Sequence, residues 1–246
     1  MGGFLKGPLL FLLLLFFLSP GCGRKGPPVP PEEARPEAPK DLRLLPRPLF
    51  VELRFKVPLE DVRGVPLKKI KAFEVERVCR PAEGPGPEIR TREKIPFGDS
   101  PSRLEEFLWR ERRLRSGWCC RFRVRAVKGW RSRSDWTPPQ ALCWHTPPRT
   151  PEDFSVKVLV PHTVYLSWRP VKKDLQDFPL EHLVLYRVRR REGEGPSQVF
   201  PPIRETSLFD TSARAGKTYC YRVEPLLSYY GTLIPGFATP EICVTP

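Results

Sequence analysis

Histidine is scarce in this chain, with 3 among 246 residues. They are His145, beside a proline-rich stretch, and His162 and His182, in apparent loops. None stands in a Gly-x-Ser-x-Gly, His-Glu-x-x-His or P-loop pattern, and no nucleophile, base and orienting group fall into a converging set. Carboxylates are dispersed rather than paired. Enzyme chemistry is therefore not expected, and no cofactor is implied. A metal site meets a similar obstacle. Zinc sites usually pair cysteines as Cys-x-x-Cys knuckles, whereas the close pair here is the adjacent Cys119-Cys120, whose side chains would point to opposite faces of a strand. Helical periodicity is also scarce. Arg103 to Leu114 has apolar residues enough for a turn or two of helix, and little else does. No apolar run is long enough to span a bilayer: Pro8 to Leu18, about eleven residues, falls short of the ~20 that a crossing helix needs.

What the chain has in excess is proline, 32 residues. Lacking an N–H and fixed in φ, proline belongs in turns, linkers and strand ends, which favours an all-β reading. The N-terminus carries one positive charge at Lys6, then the short apolar run, then Ser19-Pro20-Gly21-Cys22. That is the layout of a cleaved signal peptide. Gly21-Cys22 resembles the bacterial lipoprotein signal, in which a small residue precedes the cysteine that receives lipid. Ser19 departs from the pattern, since a large aliphatic residue usually stands three places before the cysteine. The resemblance implies a signal over 1–21 and lipidation of Cys22, anchoring the protein in the cell envelope. An ordinary cleaved signal with Cys22 near the cut is the alternative. Gly23 is not the aspartate that retains many proteobacterial lipoproteins at the inner membrane, so a cell with two membranes would place it in the outer one. Residues 22–39, rich in Pro, Glu and Gly, form a tether; an extended proline-rich segment of this length reaches roughly 50 Å.

The net charge of +14 favours anionic partners such as phospholipid head groups or acidic glycans. The cations alternate with apolar residues, as in Arg121-Phe122-Arg123-Val124-Arg125, which is the signature of a half-buried strand with a solvated face. Leu49 to Phe55, Phe73 to Val78 and Trp118 to Val127 all have this character. The same order returns about 100 residues later as Val164 to Trp168, Leu183 to Val188 and Tyr219 to Leu227, an internal repeat. In the second copy, Val164-Tyr165-Leu166-Ser167-Trp168-Arg169-Pro170, Thr206 to Thr211 and Gly216 to Val223 resemble the B, E and F strands of a fibronectin type III domain. The resemblance makes Trp168 the core tryptophan and Tyr219 the corner tyrosine whose hydroxyl caps nearby backbone. The first copy is more divergent, with Phe55 at the tryptophan position and Cys120 at the position of Tyr219. The implied fold class is all-β, with two tandem fibronectin type III-like, immunoglobulin-like β-sandwiches over 40–147 and 148–246, joined by the stiff Thr146-Pro147-Pro148-Arg149-Thr150-Pro151.

Export permits disulfides. In the family's strand order, Cys220 begins strand F and Cys243 ends strand G, so they pair; that register also sets Arg222 against Glu241. By the repeat Cys119 pairs with Cys143 on the outer face. Cys120 and Cys79 then both point inward and pair, with Glu76 opposite Arg123 and Glu74 opposite Arg125. For binding, an exposed cluster of Trp109, Trp130 and Trp136 beside Arg131 and Arg133 is one reading, able to stack on sugars or grip a protein; core packing of the tryptophans is the other. Export argues against nucleic acid. The fold class hosts recognition more often than catalysis. The expected function is a membrane-anchored binding or scaffolding module for another envelope component, an envelope protein or an acidic glycan, with an accessory glycan- or peptidoglycan-binding module of a polysaccharide-processing system as the alternative. No oligomeric state is implied.

Overall fold

Alternating apolar and charged residues make strands with one buried and one wet face, and the frequent prolines and glycines confine them to short segments. The computed structural model describes residues 30, 33–97, 106–160 and 162–246. The signal segment, Cys22 and most of the tether lie outside the described residues. The described end of the expected tether is not free but docked, with Pro36 bridged to Asp61, the Glu37 N–H donating to the Glu60 carbonyl and Arg35 paired with Asp135, because its backbone finds an unpaired strand edge there.

Strands β1 (Lys40–Arg47), β2 (Phe50–Lys56) and β5 (Glu106–Glu111) form a three-stranded antiparallel sheet in the order β1-β2-β5. Facing it is a four-stranded sheet of β3 (Ala72–Pro81), β4 (Ile89–Pro96), β6 (Trp118–Val127) and β7 (Gln140–Trp144), in the order β4-β3-β6-β7. The expected helical turn over Arg103 to Leu114 is strand β5 from Glu106 to Glu111, and Arg112 to Leu114 follow it without regular structure. The second half repeats the plan. Strands β8 (Ser155–Val160), β9 (Thr163–Ser167) and β12 (Ser207–Asp210) form one sheet. The other sheet has β10 (Val184–Glu192), β11 (Ser197–Val199), β13 (Tyr219–Tyr229), β14 (Thr232–Pro235) and β15 (Ile242–Val244). Here the last strand of the fold is broken into β14 and β15, both paired to β13. Three strands facing four, in this order, make each half a fibronectin type III-like sandwich.

Trp168 is buried beside Tyr186 in the second core, and Tyr219 holds the corner, its hydroxyl accepting the Arg214 N–H at 3.1 Å. In the first core Phe55 is fully buried and edge-on to Phe73. Its corner lacks the tyrosine and rests on an ion pair alone. Buried Glu111 accepts the Arg113 N–H at 2.7 Å and pairs with Arg77 at 2.9 Å, while the Arg77 guanidinium also donates to the Arg113 carbonyl at 2.6 Å. The second sandwich has the same device: Arg190 reaches inward to buried Asp210 at 2.7 Å. Arg77 lies opposite Phe122 and Arg190 opposite Tyr221, so the two arginines are equivalent in register.

The cysteines meet across directly opposed strand positions, as Cys79–Cys120, Cys119–Cys143 and Cys220–Cys243. Cys79 and Cys120 are buried, whereas Cys119 and Cys143 lie on the outer face. One pairing expected from register is not made. Glu241 bonds Arg191 at 3.0 Å rather than Arg222, because β10 brings Arg191 alongside and sets Arg189 opposite Arg222. The Arg222 Nε is left buried without a partner among the described residues.

The two sandwiches share apolar packing. Leu227, Tyr229 and Ile234, from the β13–β14 hairpin of the second, are buried in one cluster with Leu42, Leu142 and Trp144 of the first. The hairpin turns on Tyr230 and Gly231, with φ of 43° and 77°, as a two-residue turn twisted to match its strands requires. Thr232 Oγ1 accepts the Cys143 N–H at 3.1 Å, and the Tyr230 hydroxyl donates to Glu83 at 2.6 Å. The Tyr229 ring lies 5.1 Å from His145 and 4.8 Å from His182. Gly236 lies against the linker, where a Cβ would stand 2.3 Å from the Pro148 carbonyl oxygen. The proline-rich joint is thus clamped rather than swinging free.

Candidate binding face

The outer face of β4-β3-β6 is a set of charged rungs. Register places Lys94, Glu74 and Arg125 in one row, Arg92, Glu76 and Arg123 in the next, and Arg90, Val78 and Arg121 in the third. Each glutamate therefore sits between two cations. Arg123 and Arg92 meet Glu76 at 2.5 and 2.6 Å, and Arg125 meets Glu74 at 2.6 Å. Burial raises the Glu76 carboxyl's pKa, but the hydrogen bonds and charges of Arg92 and Arg123 outweigh it, and the net shift is downward. Glu76 is a permanent anion at neutral pH.

Trp136 lies against this ladder, covered by its arginines. The guanidinium carbons of Arg125, Arg123 and Arg92 lie 4.4, 4.7 and 5.9 Å from its ring centre. Each such stacking contributes roughly 0.5–2 kcal/mol. Its loop is held by two side chains acting as backbone. The Ser134 and Thr137 hydroxyls accept the N–H groups of Ala126 and Val124 at 2.8 and 3.0 Å. Thr239 does the same for Val223 in the second sandwich, at 3.1 Å.

The five residues read together from sequence do not form one surface. Trp109 is on β5 in the other sheet and packs against the first core. Trp136 is half-buried under the ladder's arginines, and Arg133 turns to Glu74 at 3.6 Å. Trp130 is 81% exposed, with Arg131 stacked 4.5 Å from its ring centre. The physical reason is that arginine is flat enough to cover an aromatic ring, so a tryptophan among arginines need not face solvent. Sequence reasoning missed Arg77 and Arg190. The signal was present, because both fall at apolar phase on their strands.

At the β7 end of this sheet, toward the second sandwich, lies a cleft of about 390 Å³ walled by Arg80, Arg121, the Cys119–Cys143 disulfide and Tyr230. A smaller one of about 170 Å³ lies over Arg90, Arg121 and Pro139. Val78 lines both.

No family model matches the chain and no curated protein matches it. Among solved structures it is similar to the FN1–FN3 domains of chicken CNTN1, at 15% identity and a TM-score of 0.47, over 87% of this chain and 69% of that one. It is also similar to a two fibronectin type-III domain segment of chicken tenascin, at 18% identity and a TM-score of 0.35, over 85% of this chain and all of that one.

Proposed function

We propose that the protein is a lipid-anchored cell-envelope lipoprotein whose paired sandwiches bind or scaffold another envelope protein. The observation that carries this reading is the shared packing of Leu227, Tyr229 and Ile234 with the first core. Ordering two surfaces together before a partner arrives reduces the entropy lost on binding. Cys22 supplies the membrane attachment and the segment from Gly23 to Glu33 the reach, since from Ala34 onward the chain is bonded to the first sandwich. Gly23 after the lipidated cysteine favours the outer membrane where two exist. A pull-down with the full lipidated chain from detergent-solubilised envelopes tests the proposal: a stoichiometric protein partner supports it, and retention of glycan alone overturns it. The exposed Trp130, backed by Arg131, favours the second reading, a glycan-binding accessory module, because an open aromatic face stacks on sugar rings.

A further inference from the structure

The third rung of the ladder differs from the other two. Where Glu74 and Glu76 each sit between two cations, the central position is Val78, flanked by Arg90 and Arg121. Among the described residues the carboxylate facing this pair is Glu88, at 3.7 Å from Arg90 and 3.6 Å from Arg121. Those separations exceed hydrogen-bond distance, whereas Glu76 holds its two arginines at 2.5 and 2.6 Å. Glu88 is also half-exposed, and so are the two guanidinium groups. Two planar forks therefore face solvent over a small apolar floor, in the spacing that an internal carboxylate bridges one rung away.

The floor continues toward the second sandwich. Val78, Ala141, Leu142 and the Cys119–Cys143 disulfide line the larger cleft, with Tyr230 at its far wall. Arg80, Arg121 and Glu88 share that lining, and Arg90 and Arg121 line the smaller cleft beside it, so a ligand spanning both with a carboxylate at the two guanidinium groups must displace Glu88 from them and lay apolar surface on the floor. A polyuronate would place hydroxyls along that floor; a peptide places side chains there. Resting on the binding-module reading above, we propose that this groove binds an acidic–apolar segment of a protein partner, one of whose carboxylates completes the third rung between Arg90 and Arg121.

The test uses the full chain in detergent and a short fluorescein-labelled peptide of alternating leucine and glutamate, read by fluorescence polarisation and by shifts of the Val78, Arg90 and Arg121 amides. Arms with a glutamine-for-glutamate peptide and with oligogalacturonate separate carboxylate recognition, apolar recognition and glycan recognition. The glutamate peptide is expected to bind and the glutamine peptide to bind at least about tenfold more weakly, as loss of a charge-assisted pair implies. Val78→Glu, which supplies the missing carboxylate from within, is expected to abolish binding while the fold and thermal midpoint are kept. Arg121→Ala gives the same loss without adding a charge. Equal binding of both peptides, binding unaffected by Val78→Glu, or saturation of these amides by oligogalacturonate alone would each overturn the proposal. If Val78→Glu still captures the envelope partner while the peptide fails to bind the wild type, this groove is wrong and the binding-module reading stands. A wild type that captures no protein sinks that reading instead.

Discussion

Ile234 belongs by sequence to the second sandwich, yet its side chain is fully buried in the cluster of the first. Ile234→Ala should therefore destabilise a part of the chain that its own strand does not belong to. Truncation removes three carbons; at ~0.8 kcal/mol each this is about 2.4 kcal/mol, and the unfilled space adds more, giving about 3 kcal/mol. For a cooperative unit of this size that lowers the midpoint by on the order of 10 °C. Hydrogen exchange locates the effect. Amides of β1 and β7, which lie against β14, should exchange faster in Ile234→Ala along with those of β13. Val188→Ala, in the core around Trp168, serves as the control and should speed exchange in β1 and β7 less than Ile234→Ala does. If Ile234→Ala speeds exchange only within residues 155–244, the two sandwiches are thermodynamically independent and the argument from shared packing fails.

Cys22→Ser should move the protein from detergent phase to aqueous phase, since each acyl methylene buried contributes ~0.8 kcal/mol to attachment; equal partitioning would end the lipoprotein proposal. Burial raises the pKa of Asp210, but hydrogen bonds from Ser212, Tyr221 and Arg190 outweigh it, and its carboxyl lies below the ordinary 3.8. Its unfolded value is thus the higher one, so it contributes stability above that pH that is lost as pH falls further. Asp210→Asn should flatten the acid side of a plot of thermal midpoint against pH, and an unchanged slope would count against this network. Replacing Cys119 and Cys143 together by serine should cost about 3 kcal/mol, from the loop entropy their bond removes. Non-reducing peptide maps should show the three intramodular pairs, and a bridge between the halves would refute the strand register.

Strand phase was legible because a period of two leaves little freedom. Once Cys120 is placed inward with Phe122 and Val124, Cys119 must point outward with Arg121, and opposed partners follow from register alone. The same logic set Glu76 against Arg123 and Glu74 against Arg125, as the β3–β6 pairing has them. It failed where two solutions share one pattern. Leu227 and Tyr229 alternate as a strand must, whether their apolar side meets their own sandwich or a neighbour, so the joint between the halves left no mark in periodicity. It failed again where charge was taken to mean solvent. Arg77 and Arg190 sit at apolar phase, and each reaches a buried carboxylate at the end of the facing strand. Their equivalence was available from the repeat itself: each stands opposite the aromatic residue of its partner strand, Phe122 or Tyr221. A charged residue that recurs at apolar phase in both copies of a repeat is better read as an internal clamp than as a wet face. By the same comparison Val78, where the two preceding rungs carry glutamate, marks a position at which the surface ladder stops satisfying itself.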